Sequence, residues 1–102
     1  MKRRYLLAPQ AARDLVDIWH YLKTQGSQQT ADRVEAVIRS KFAYLADFPN
    51  GGHLRRDLTS AEVRFLSVYS YLIVYRPETK PLQIVAILHA SRDLPTILPK
   101  RI

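Results

Sequence analysis

A chain of 102 residues without cysteine is long enough for one compact domain, and it excludes both disulfide staples and zinc–thiolate sites. Hydrophobic residues make up 47% and charged residues 25%, ordinary values for a globular fold, and no apolar run approaches the roughly 20 residues of a membrane helix. Sixteen Lys+Arg against nine Asp+Glu leave a net charge of +7, which favours acidic partners; Arg outnumbers Lys, which favours recognition of carboxylate or phosphate.

In chain order, Met1 to Pro9 opens with basic residues, but its apolar stretch is too short for a signal peptide, so a cytoplasmic protein without membrane contact is expected. Lys2 to Leu7 reads as a short strand. Pro9 suits the first turn of a helix, where its missing N–H costs nothing. From Gln10 to Thr24, Leu15, Ile18, Trp19 and Leu22 recur at three and four, with Ala11 and Ala12 upstream, and Gly26 supplies a stop. Ser27 or Thr30 can cap a second helix with the stripe Ala31, Val34, Ile38, Phe42 and Leu45. Pro49-Asn50-Gly51-Gly52 ends it. The two helices should form an antiparallel hairpin, with Trp19 and Phe42 lying between it and a sheet.

The periodicity then changes. Glu62 to Val68, Tyr71 to Arg76 and Leu82 to Leu88 are rich in β-branched, aromatic and leucine residues and read as strands, and the two prolines of Arg76 to Pro81 mark a turn. The order β-α-α-β-β-β predicts an α+β fold: a helical hairpin on one face of a mainly antiparallel sheet. It is one domain, 1–102, with 94–102 a short C-terminal tail.

Few residues suggest chemistry. Asp17 and His20 share a helix face, but two ligands do not make a metal site, and no metal or other cofactor is expected. Hydrolase, zincin, phosphate-loop and dinucleotide motifs are absent. Trp19 and Tyr21 suit core and rim better than a ligand site. A basic, aromatic-flanked sheet remains, with Arg64, Tyr75, Arg76, His89 and Arg92. A metal-independent ribonuclease needs a base, cations for the phosphorane and an acid; His89 can serve as the base or the acid, and the arginines Arg64, Arg76 and Arg92 as the cations. The strands, however, place Arg76 and His89 at opposite ends of an antiparallel pair unless the register is offset. The alternative is structural: His89 bonding a loop, and Arg92-Asp93 tying down the tail.

Ala12, Asp14-Leu15 and Ile18-Trp19-His20-Tyr21 together resemble the first helix of the RelE/ParE toxin superfamily. "LADFPNGG", "VRFLSVYSYLIVYR" and "IVAILHASRDL" resemble its later elements, so that the likeness runs from about Tyr5 to Leu94. It implies the toxin half of a type II toxin–antitoxin pair with the β-α-α-β-β-β architecture. RelE-like members cleave mRNA at the ribosome, whereas ParE-like members inhibit DNA gyrase by binding. The first helix and the ending look more like ParE, and Arg55-Arg56-Asp57 stands where RelE-like members carry several lysines. The resemblance therefore implies no catalytic residue. It implies target contacts at His89, Arg92, Asp93, Leu94, Lys100 and Arg101, the last residues forming a mobile basic arm. An acidic ParD-like antitoxin should dock on the sheet face that the helices leave open, giving a hetero-oligomer; ribosome and mRNA are the alternative partners.

Overall fold

The computed structural model describes residues 4–102. Strand β1 spans Tyr5–Leu7, followed by helices α1, Pro9–Gln25, and α2, Gln28–Asp47. Strands β2, Arg64–Val68, β3, Tyr71–Arg76, and β4, Leu82–His89, follow, then a one-turn helix α3, Leu94–Ile97, and a 3-10 turn over Leu98–Lys100. Of the strand expected from Lys2, the first two residues lie outside the described residues.

Local chemistry accounts for the helix ends. Pro9 opens α1, and the Gly26 N–H closes it on the Leu22 carbonyl at 2.9 Å. Ser27 caps α2, its hydroxyl accepting the Thr30 N–H at 3.1 Å, which satisfies one of the unpaired donors of the first turn. The stripe Ala31, Ile38, Phe42 and Leu45 is fully buried, as its spacing predicts. Trp19 is not in that core. The buried line of α1 runs through Ala11 and Leu15 with Ile18 packed behind, and Trp19 sits one step round the helix. Its indole N–H needs an acceptor and finds Asp32 Oδ1 of α2 at 2.7 Å, while Lys23 lies over its ring. It staples the two helices from outside.

The sheet order is β1-β4-β3-β2, antiparallel except that β1 runs parallel to β4. Strand β3 is buried on both faces. Tyr71, Ile73 and Tyr75 meet the helices, while Leu72 and Val74 face the opposite way. In β4 the register against β3 slips by one, with Val74 opposite Ala86 and Tyr75 opposite Ile84, so Val85 is an extra residue. The slip shifts the alternation: Ile84 and Ile87 both meet the helix layer, and Val85, Ala86 and Leu88 meet the other.

That second face is not open, contrary to expectation. Leu58, Ala61 and Val63 from the connection after α2, and Leu94, Ile97, Leu98 and Ile102 from the C-terminal segment, pack on it. Nor is the tail a projecting arm. Leu94 and Leu98 are buried, and the short helix forms because docking them removes apolar surface from water.

Candidate functional site

Residues of interest collect at the two ends of the sheet. At one end, Arg64 of β2 stands opposite Tyr75, and Arg76 stands opposite Gln83. The buried Tyr75 hydroxyl donates to the Pro49 carbonyl at 2.7 Å and accepts the Gly52 N–H at 2.8 Å. Burial pushes its ionisation up, against the opposing pull of the Gly52 N–H and the Arg64 charge. The Arg64 guanidinium donates to the Gly52 carbonyl at 3.0 Å, and Arg76 Nε to Gln83 Oε1 at 3.1 Å. A Cβ on Gly52 would lie 2.6 Å from the Tyr75 hydroxyl and 2.7 Å from the Phe65 carbonyl, so only glycine lets the turn approach this closely. Tyr75 and Arg64 hold the exit of α2 on the sheet, and Arg76 ties β3 to β4. The nearby arginines are also engaged: Arg55 with the Asp57 carboxylate, Arg56 with the Ser60 carbonyl and Glu62.

At the other end, His89 terminates β4 opposite Tyr71 of β3. The rings meet edge to face at 5.4 Å. The phase set by Val85 turns His89 toward α1, where a cleft of about 310 Å³ opens between helix and sheet. Asp14, Asp17, Ile18 and Tyr21 of α1 line one wall, and Tyr71, Ile87, His89 and Arg92 the other. The spacing of the helix residues, three, one and three, continues the buried stripe of α1 into polar residues. That was the sequence signal for the cleft. Tyr21, assigned to the rim, and Tyr71 and Asp14 went unread as site residues. His20, half of the Asp17 pair, stacks on Trp19 instead.

The cleft is chemically specific. The Ser91 N–H donates to His89 Nδ1 at 3.1 Å, and the Ser91 hydroxyl lies 2.6 Å from the same nitrogen. An amide donor fixes Nδ1 as an acceptor, so the proton sits on Nε2, a donor without a hydrogen-bond partner among the described residues. Arg92 is exposed, and the Arg92 guanidinium and the Asp17 carboxylate have no ion-pair partner among the described residues. Tyr71 is held above the usual phenol range, first by burial and then by its neighbour Tyr21, so it is a neutral hydroxyl at physiological pH. Asp14 differs: its Oδ2 accepts the Ile87 N–H at 3.1 Å and an Arg101 N–H at 2.6 Å. Among the described residues no three of His, Cys, Asp and Glu converge as metal ligands.

The expected site residues therefore divide. Arg64 and Arg76 lie at one end of β3, and His89 and Arg92 at the other, about 17 Å apart for five strand steps. Arg92 stands beside His89 at the cleft. Asp93 accepts the Thr96 hydroxyl at 2.8 Å and so orders the turn into α3. Leu94 is buried, Arg101 is paired inward, and Lys100 is exposed.

No curated protein sequence matches the chain. Among solved structures, one titled as the chromosomal ParDE TA system from P. aeruginosa superposes with a TM-score of 0.71 at 22% identity, covering 83% of this chain and 92% of that one. A family model described as the ParE toxin of the type II toxin–antitoxin system parDE matches residues 5–94. With nearly its whole length inside that match, including the cleft and the turn that leaves it, the chain belongs to the ParE toxin family of type II toxin–antitoxin systems.

Proposed function

We propose that this toxin acts by binding, arresting DNA gyrase in the cytoplasm, and that a cognate acidic ParD-like antitoxin neutralises it in a hetero-oligomer. The observation that carries the choice of binding over RNA cleavage is the separation of the polar residues. A phosphoryl-transfer centre needs base, acid and cations within hydrogen-bond reach of one phosphate. Arg64 and Arg76 are anchored on a carbonyl and a side-chain amide about 17 Å from His89, which leaves Arg92 as the neighbouring cation. A cleft with an imidazole N–H and a guanidinium that have no partner among the described residues, and with two tyrosines, suits a protein surface better. Tyr and Arg are the residues that dominate binding hot spots, and a charge of +7 speeds encounter with an acidic partner.

Among the described residues no helix is long and apolar enough to cross a membrane. His89, Arg92 and Lys100 are the exposed contacts of this reading, with Asp93 shaping the turn between them. The test runs purified protein in two assays, gyrase supercoiling and translation with mapping of mRNA ends. The expected result is inhibited supercoiling with uncut mRNA. Discrete cuts that vanish in His89→Ala, with gyrase unaffected, would reverse the assignment.

A further inference from the structure

The C-terminal segment, residues 94–102, is attached to the fold in an unusual way. Four residues of α3 and three of a 3-10 turn are too few to hold helical structure by themselves, so their order comes from docking. The segment's own amide bonds are internal: Ile97 to Asp93, and Arg101 and Ile102 to Leu98. Its grip on the sheet is otherwise apolar, Leu94 and Leu98 against the face built from Leu72, Val74, Val85, Ala86 and Leu88. Among the described residues, one hydrogen-bonding side chain ties 94–102 back to the body, Arg101 to Asp14, across 87 positions of sequence. Both are largely shielded, at 13% and 16% exposure, and Arg101 Nε is buried without a partner. The connection is a turn of exposed residues; its last bond to the neighbouring strand hairpin is the Ala90 N–H on the Ser70 carbonyl at 2.8 Å, and beyond it the Ser91 and Arg92 N–H groups bond only to His89.

We propose that the sheet face beneath residues 94–102 is a peptide-binding surface that the chain fills with its own C-terminal segment. The same segment of a second copy can fill it instead, and the Arg101–Asp14 pair is the latch that keeps it filled from within. Apolar packing is indifferent to which chain supplies the leucines, so a second copy offers the same two leucines, four apart, and an arginine three further on. Exchange of an identical terminal element is a low-cost route between copies when the hinge is short and exposed. Residues 91–93, extended, give a reach of about 10 Å. The latch sets the balance because releasing Arg101 leaves a shielded carboxylate without its cation, an unfavourable state. Opening has a second effect. It frees one side of Asp14 in the cleft beside His89 and Arg92, so occupation of the sheet face and the charge of the cleft change together. The proposal does not depend on what the toxin inhibits.

The test uses the full-length chain and a labelled synthetic peptide of residues 93–102. In Arg101→Gln the amides of Ile97, Leu98, Arg101 and Ile102 should exchange about 10²-fold faster, while those of β3 and β4 stay protected. The native-sequence peptide should bind this variant about 10²-fold more tightly than it binds the wild type, because the open fraction rises by that factor. A peptide carrying Arg101→Gln should bind more weakly than the native peptide. Arg101→Lys, which keeps the charge, should fall between. Exchange that accelerates equally across the whole sheet would show that the segment is an inseparable part of the core and would overturn the proposal. So would a selectively opened segment whose face takes up no peptide.

Discussion

The two ends of the sheet are built from the same kinds of residue and put them to opposite uses. Around Tyr75, each of three polar side chains is engaged by a neighbour: the phenol by a carbonyl and an amide, Arg64 by a carbonyl, Arg76 by Gln83. Around His89, the imidazole Nε2, the Arg92 guanidinium and the Asp17 carboxylate are left facing a cleft. The Tyr75 hydroxyl is buried and must be paired, and the half-buried arginines beside it are anchored on the fold's own groups. The second end is exposed enough to leave donors waiting. Residue type does not separate a structural arginine from a functional one; what its donors already touch does.

The comparison breaks most visibly at Gly52. Gly52→Ala should cost about 3 kcal/mol in denaturant unfolding, because the new methyl overlaps Tyr75 and a backbone carbonyl that cannot yield. Tyr75→Phe should follow at about 1–3 kcal/mol, since the Gly52 N–H and the Pro49 carbonyl lose their shared partner.

The phenols also set an alkaline limit. Tyr71 and Tyr75 have ionisations raised by burial above the usual 10.0, so the folded chain keeps both protons where the unfolded chain releases them. Their contribution is intact below pH 10 and declines as pH rises through the raised values. Urea midpoints measured from neutral pH upward should fall from about pH 10, and less steeply in Tyr71→Phe.

At the cleft the expected stability effect is the smallest. His89→Ala and Arg92→Ala should leave the unfolding free energy within about 0.5 kcal/mol of wild type, as exposed residues do. Each should nevertheless weaken target inhibition by about 10-fold or more if it anchors the interface. Two variants as unstable as Tyr75→Phe would erase the distinction between the ends.

How much of this was legible depends on the periodicity involved. Helix α2 was readable because Ala31, Val34, Ile38, Phe42 and Leu45 repeat a pattern that only one face of a helix can satisfy. Strands β3 and β4 were readable as dense runs of residues that pack well on a pleated surface. Trp19 was misplaced because hydrophobicity scales count its ring and not its N–H. At the margin of a buried stripe, that donor's need for Asp32 decided the rotation. The opposite ends assigned to Arg76 and His89 followed from antiparallel pairing and agree with the register, but the side of Arg64 could not be chosen before the hairpin at Tyr69-Ser70 was known. The C-terminal segment defeated inspection for a different reason. Prolines at 95 and 99 argue against a long helix, and nothing local to Leu94 or Leu98 reports the bare sheet face they cover. The pairing of Arg101 with Asp14 is likewise a long-range fact that no window of sequence contains.

The parallel pairing of β1 with β4 has a consequence for synthesis. Tyr5–Leu7 are made nearly 80 residues before their partners Leu82–Ile84. Strand β4 lies between β1 and β3, so until it emerges from the ribosome the first strand has nowhere to pair and the sheet has no centre. Contacts so distant in sequence form late, after loop-closure entropy has been overcome by local structure. The hairpin of β3 and β4 should therefore lead and β1 should dock last. Replacing Leu7 by Ala should accelerate unfolding and scarcely change the folding rate, and a slowed folding rate would contradict this order. For a toxin the order is useful. The strand that carries His89 is also the one that gives the sheet its centre, so the candidate cleft takes shape only once β3 and β4 have paired.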